Sequence, residues 1–452
     1  MAVYQNREAF IPYSRQEIID LCIADGKIAP EEERDFHDFC NILAAYYHFK
    51  LHHSLEILKA NFVPFNPDLD RVKTTDRRNL NLDLKQKEDE LIETFSAILE
   101  RANYYPISKK ALDKALSDGS IFDLKTEVNF DDFERIICYC RGDSVDTITV
   151  KTWNFKTVER KVDVYRRVVL LIKFKEEKHF KDKPVKNEEL NFKPGKIYVY
   201  LYKDLSKLDL EFIFPDVEMS MNWKDRVLFG VPAVGAAITL TLRIIPQLIL
   251  IIGVLIYLTL GHQPIAELEV KEEDVRNITP LIIAILSLTI TMGGFAFKQY
   301  TSYKNKQIKF QKSVTETLFY RNIANNSGVF KYIIDAAEEE ECKEIILVYY
   351  HLLTSDRPLT SSQLDDRIEA WMEDRFNTII DFDINKPLRN LAEIKAEIKY
   401  FQENTYSIKQ VSLLQRGNPQ EAGFMSAEHY RVLPLKEAKQ AMDYVWDNIF
   451  QY

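Results

Sequence analysis

The chain lacks a basic surplus, a cysteine framework, an export signal and the common local catalytic motifs, and each absence removes a class of function. Its net charge is -9, whereas a general nucleic-acid binder needs a basic face for phosphate contacts. Its five cysteines, Cys22, Cys40, Cys138, Cys140 and Cys342, form no CxxC pair, and an odd set of this kind suits a reducing compartment better than a disulfide scaffold. The opening MAVYQNREAF has neither the basic nor the apolar part of a signal peptide, so the chain is expected to start in the cytoplasm. No Walker-type GxxxxGK run, GxSxG, HExxH or kinase signature occurs. An enzyme is therefore the less favoured reading, and no cofactor is expected.

What is present divides into textures. At 452 residues the chain is long enough for two or three domains. Hydrophobic residues make up 46% and charged residues 29%, an ordinary soluble balance, so any membrane segment must be local. Two uncharged runs answer that description: residues 244–260, IIPQLILIIGVLIYLTL, and residues 279–297, TPLIIAILSLTITMGGFAF. Their lengths, 17 and 19 residues, predict a two-helix transmembrane hairpin. The linking segment 261–278 holds five acids and two bases, while Arg243 and Lys298, Lys304, Lys306, Lys309 and Lys312 flank the runs. The positive-inside rule then places both termini in the cytoplasm and only the acidic loop outside, in a multi-pass inner-membrane protein. Residues 227–242, VLFGVPAVGAAITLTL, read as an interfacial or re-entrant helix rather than a third span. Ala284, Ser287, Thr291 and Gly294 form a small-residue stripe that would pack near Gly253 or, in a homo-oligomer, on another subunit.

Residues 1–120 read as a helical N-terminal domain, carried by SRQEIIDLCIADG, EERDFHDFCNILAAYYHFKLHHSLEILKANF and KQKEDELIETFSAILERANY. Residues 121–220 read as a mixed α+β domain with strands FERIICYC, DTITVKTW, VYRRVVLLIKFK, KIYVYLYK and LEFIFP, and Arg141 and Gly142 read as a strand-ending turn. Residues 298–353 are predicted to form a juxtamembrane helical hairpin. In residues 354–452, SSQLDDRIEAWMEDRF, IIDFDI, PLRNLAEI, a hairpin of YSIKQVSLL with HYRVLPL, and KEAKQAMDYVWDNIF suggest a winged-helix-like module. That module has 16 acidic and 12 basic side chains, a balance that favours protein partners over DNA. The fold class is thus an α+β multi-domain membrane protein.

REAFIPYSRQEIIDL, FERIICYCRGD, VYRRVVLLIKFK, YLYKDLSKLDLEFIFPD and above all LFYRNIANNSGVFKYIIDAAEEEECKEIILVYYHLL resemble the transmembrane-protein-143 family. The resemblance runs from about residue 7 to residue 450. It implies a membrane protein of bacteria, plants or mitochondria with no established activity, and so supplies no catalytic residues. The chain begins almost at the first family block, which points to a bacterial inner membrane.

Several groups could carry chemistry. His37, Cys40, His48 and His52 share a helical face, and imidazoles four residues apart can chelate zinc, yet no third ligand comes from a loop, so ordinary half-buried histidines are the favoured reading and no metal is expected. Lys203, Asp204, Asp209 and Glu211 crowd a strand end and are the candidates for acid/base work; surface pairs and turn caps are the plainer alternative. Lys298, Lys304, Lys306, Lys309 and Lys312 would attract the anionic headgroups of a lipid bilayer at about 1 kcal/mol each. The sequons at Asn277 and Asn325 read as chance. Three functions follow: a membrane-anchored scaffold that binds proteins, a membrane-surface enzyme acting on a lipid or other membrane-bound substrate, and an oligomeric channel or transporter, which spans without ionisable groups disfavour.

The acidic run in YRNIANNSGVFKYIIDAAEEEECKE reads as architecture. Phe330, Ile334, Ala337, Ile345, Val348 and Leu352 make one apolar stripe, with Glu341 on it and Glu338, Glu339 and Glu340 mostly off it. A hairpin break at Asn325, Asn326 and Gly328 would bring Lys309 and Lys312 to Glu338 and Glu341.

Overall fold

The computed structural model describes residues 11–69, 80–108, 124–151, 157–181, 192–215, 217–221, 278–377, 380–402, 405–417 and 428–450. The chain divides into two compact units. Unit 1 gathers the described residues of Met1–Ala115, Asn129–Ile213 and Arg321–Tyr452, and unit 2 those of Leu116–Val128 and Phe214–Tyr320.

In chain order the helices are α1 (Arg15–Ala24), α2 (Glu33–Phe62), α3 (Leu80–Arg101), α4 (Glu177–Lys181), α5 (Ile278–Arg321), α6 (Ser327–Leu353), α7 (Ser361–Phe376), α8 (Asn385–Glu393) and α9 (Leu435–Asp447). The strands are β1 (Tyr105–Pro106), β2 (Leu124–Val128), β3 (Phe133–Lys151), β4 (Thr157–Phe174), β5 (Ile197–Ser206), β6 (Val217–Met221), β7 (Asn322–Asn325), β8 (Leu359–Thr360), β9 (Lys395–Gln402), β10 (Thr405–Ser412), β11 (Leu414–Gly417) and β12 (His429–Val432).

Unit 1 is built around α6. Val329, Phe330, Ile333, Ile334 and Ala337 belong to one core, with α2, α3 and the inner face of an antiparallel sheet of order β1-β3-β4-β5-β7. Cys342 and residues 345–350 belong to a second core, with α1, the first half of α2, and α7, α8 and α9. The predicted apolar stripe is buried throughout, but from Glu340 to Leu352 every residue of α6 is buried. IILVYYHL is apolar on all sides, and a helix of that kind is enclosed rather than half-exposed.

Local signals set the helix starts. Ser14 caps α1 in a reciprocal box with Glu17, and Thr360 caps α7 in the same way with Gln363. Four sequence-based expectations shift. FERIICYC and DTITVKTW lie largely in a single strand, β3, in which Gly142 adopts φ +72° rather than ending the strand. LEFIFP falls mostly in a 3-10 turn, Lys207–Ile213, because the buried Leu210, Phe212, Ile213 and Phe214 break the alternation a half-buried strand needs. β10 pairs with β9, and β12 pairs with β11 and β8, so YSIKQVSLL and HYRVLPL meet only at Leu413 and Leu414, opposite Leu433 and Val432, and most of the first run takes another partner. The partner taken by β10 is KAEIKYFQ, where Ala396 and Ile398 point inward and Lys395 and Glu397 outward.

In unit 2, β2 pairs with β6 and α5 is one helix of 44 residues. Among the described residues no helix is long and apolar enough to cross a membrane. The structure therefore corrects the two-helix transmembrane hairpin to a mixed α/β protein with several sheets. The readings as an integral membrane protein, membrane-anchored or channel-like, and as a multi-pass inner-membrane protein with cytoplasmic termini, go with it. An uncharged run of the right length is necessary for a span but does not define one. Residues 279–297 are the first part of a helix that continues unbroken into KQYTSYKNKQIKFQK. The expected partner span 244–260, the segment 227–242 and the acidic loop up to residue 277 lie outside the described residues.

Candidate functional site

The acidic run of α6 lies at the seam between the two cores of unit 1, and its partners come from far along the chain. Glu341 accepts a bidentate pair from Arg101, Nε at 2.7 Å and Nη2 at 2.8 Å. Glu340 accepts from the backbone of Ile11 at 3.2 Å and from Lys343 Nζ at 2.8 Å. Lys343 also donates to the carbonyls of Ile11 and Tyr13, so all three ammonium protons are used. Arg141 reaches Glu340 at 3.7 Å, donates to the carbonyl of Ala102 and lies over the ring of Tyr104. Asn103, held at φ +58°, donates to Glu344 at 2.7 Å. These contacts hold the N-terminal segment, the end of α3, β3 and α8 to one helix, as buried charges require when they are not left unpaired.

Glu344 is the exception in charge. Burial raises its carboxyl to about 7 from an ordinary 4.5, against the opposing pull of Lys386. Lys386 Nζ stands 3.3 Å from Glu344 Oε2, and that oxygen has no well-directed hydrogen bond. His351 runs the other way: burial, then the charge of Arg367, holds its imidazole at about 3 instead of 6.5. Between 4.5 and 7 folded Glu344 keeps a proton that the unfolded chain releases, so its stabilisation is present below 4.5 and lost as pH rises through 7. Between 3 and 6.5 the unfolded chain binds a proton that folded His351 refuses, so this contribution grows with pH. The two nearly cancel from pH 4.5 to 6.5 in the native protein. Glu344→Gln is expected to expose the His351 arm, raising stability over that window by about 2 kcal/mol more than in the native protein. Urea midpoints at several pH values check this; parallel curves for the two proteins would refute it.

Beside the acidic run a cleft of about 440 Å³ opens on the surface of unit 1, lined by Arg15, Ala44, Ala45, His48, Phe49, His52, Glu338 and Trp446. The lining combines apolar Ala44, Ala45, Phe49 and Trp446 with polar Arg15, His48, His52 and Glu338. Glu338 Oε2 accepts from His48 Nδ1 at 2.8 Å, and Arg15 Nη1 is 3.5 Å from Oε1. The rings of Phe49 and Phe450 meet edge to face at 5.1 Å. Trp446 is 41% and Phe450 83% exposed, although both are large enough to favour burial. A second hollow of about 840 Å³ is lined by Lys27, Arg357 and Arg367 and by Asp356 and Asp366, so its charges largely offset one another.

The sequence-derived candidates fare differently. Glu338 and Glu341 are in the network just described, facing Arg15, His48 and Arg101. Asn325 ends β7; Asn326, at φ +50°, accepts from Val199 N and donates to Asp68; Gly328 is the second residue of α6. Lys298, Lys304 and Lys312 are exposed on α5, whereas the side chains of Lys306 and Lys309 lie outside the described residues. Lys203 and Asp204 are exposed on β5; Asp209 and Glu211 fall in the 3-10 turn, their side chains outside the described residues. His37 bonds with Asn41 and stands roughly 16 Å along α2 from His48, so the two do not share a ligand. Sequence reasoning missed Arg15, Arg101, Asn103, Lys343 and Lys386. Lys343 carried the one usable signal, a lone cation at the start of an apolar helix half.

Residues 165–328 match the model of a family described as a protein of unknown function (DUF3754). Of the resemblance noted in the sequence, a domain of unknown function over residues 165–328 is what this match supports. No solved structure matches the chain.

Proposed function

We propose that unit 1 is a protein-binding module whose cleft takes an apolar side chain of a partner segment flanked by acidic residues. The observation that carries this reading is the exposed aromatic cluster at the cleft, in which Trp446 and the half-buried Phe49 line the hollow and Phe450 packs on Phe49. Large aromatics at the rim of a preformed hollow are the side chains that most often anchor partners. The acidic flank follows from the nitrogen-bearing side chains on the rim of the cleft, Arg15, His48 and His52.

Selection of twelve-residue peptides against the full chain tests the reading. Enrichment of a large apolar residue next to Asp or Glu is expected, and Trp446→Ala is expected to weaken the selected peptides at least about tenfold, ~1.4 kcal/mol. Trp446 is far enough exposed that the variant should keep its fold, which a melting curve checks. Selection without that enrichment, or peptides indifferent to Trp446→Ala, would overturn the proposal.

A further inference from the structure

The geometry points to a two-histidine chelate on the surface of α2, in which His48 and His52 bind a late first-row divalent metal ion and Glu338 orients His48. This goes beyond the proposed partner docking and does not depend on it. Among the described residues no group of three or more His, Cys, Asp or Glu side chains is placed to hold a metal ion. The proposed site uses two protein ligands, with water completing the coordination.

Three features support it. His48 and His52 are one helical turn apart on an exposed face, with side chains 66% and 56% accessible, so their rise of about 6 Å brings both rings to the same side. The rings are already roughly parallel, at 24° with centroids 6.3 Å apart. At a metal–nitrogen distance of about 2.1 Å, two imidazoles in tetrahedral positions have centroids roughly 5 Å apart, so a closure of about 1 Å suffices. Rotation of two accessible side chains supplies it without moving the backbone.

The third feature is the carboxylate behind the ring. A carboxylate only accepts hydrogen bonds, so the 2.8 Å contact of Glu338 with His48 Nδ1 places the proton on Nδ1 and leaves the Nε2 lone pair for a metal. A carboxylate that accepts from the far nitrogen of a histidine is the usual outer partner of a metal-bound imidazole, fixing its tautomer and raising its basicity. Arg15 pairs with the other oxygen of Glu338 and holds the carboxylate in place. His52 Nε2 is 3.9 Å from Glu56, too far for a hydrogen bond, so that ring can turn. Imidazole pairs without thiolate favour Cu²⁺, Ni²⁺ and Zn²⁺ over Mg²⁺ or Ca²⁺.

Calorimetric titration of the tag-free full chain with Ni²⁺ and Zn²⁺, and Cu²⁺ electron paramagnetic resonance, test the site. One ion per chain with micromolar affinity is expected, with Mg²⁺ unable to compete. His48→Ala and His52→Ala should each weaken binding at least about tenfold and remove one nitrogen from the Cu²⁺ superhyperfine pattern, while Glu338→Gln should weaken it by about tenfold with both nitrogens retained. His53→Ala, on a different face of α2, should leave affinity unchanged. Absence of saturable binding, or binding indifferent to His48→Ala and His52→Ala, would overturn the site. Unchanged affinity in Glu338→Gln would overturn the orienting role.

Discussion

Arg101→Ala is expected to lower the free energy of unfolding by about 3–5 kcal/mol, the cost of stranding a buried charge. Glu341 is 2% exposed at its side chain and both its oxygens are taken by Arg101, so truncation leaves a carboxylate with neither water nor a cation. The double variant Arg101→Met, Glu341→Leu is expected to recover most of the loss, because it removes both desolvation penalties together with the attraction that offset them. Urea denaturation of the native chain, the single variant and the double variant decides the matter. If the double variant is as unstable as the single, the pair contributes something beyond charge compensation. If Arg101→Ala is neutral, the seam is not held by this pair at all.

Phe330→Ala is expected to cost a similar amount, about 3–5 kcal/mol, by a different mechanism. Phe330 is fully buried at the first turn of α6, and its ring meets those of Phe62 at 5.0 Å and Phe95 at 5.3 Å edge to face. Removing it opens a cavity between three elements that cannot all collapse inward. Phe330→Leu keeps most of the volume and should cost no more than about 1.5 kcal/mol. Because the cavity lies in the core shared by α2, α3 and the five-stranded sheet, amide exchange should accelerate there more than in α7 to α9. Equal acceleration in both regions would mean that the two cores open as one cooperative unit.

The two effects meet on one helix, α6. Its first half secures the sheet, its second half secures the C-terminal helices, and the charged seam between them ends at Glu338, on the edge of the cleft.

Much of the secondary structure was legible because it rests on neighbours. SRQEIIDL carries its own capping box, TSSQL carries another, the α6 stripe lies at helical spacing, and VYRRVVLLIKFK and KIYVYLYK are dense in β-branched and aromatic residues. Local pattern failed where burial is not one-sided. LEFIFP is apolar without alternation and turns instead of extending, and an uncharged run of 19 residues proved to be one part of a much longer helix.

The acidic run illustrates the division between chain and fold. Sequence alone determined that residues 327–353 form a helix, that its buried stripe runs through Phe330 and Ile345, and that the glutamates were more plausibly structural than metal-binding. It did not determine what neutralises them. Ile11 is 329 residues from Glu340 and Arg101 is 240 from Glu341, and a charge leaves no trace in the local sequence of the partner it will meet. Only the tertiary structure brings these ends together, because the desolvation that makes the pairing necessary arises when the two cores close around α6.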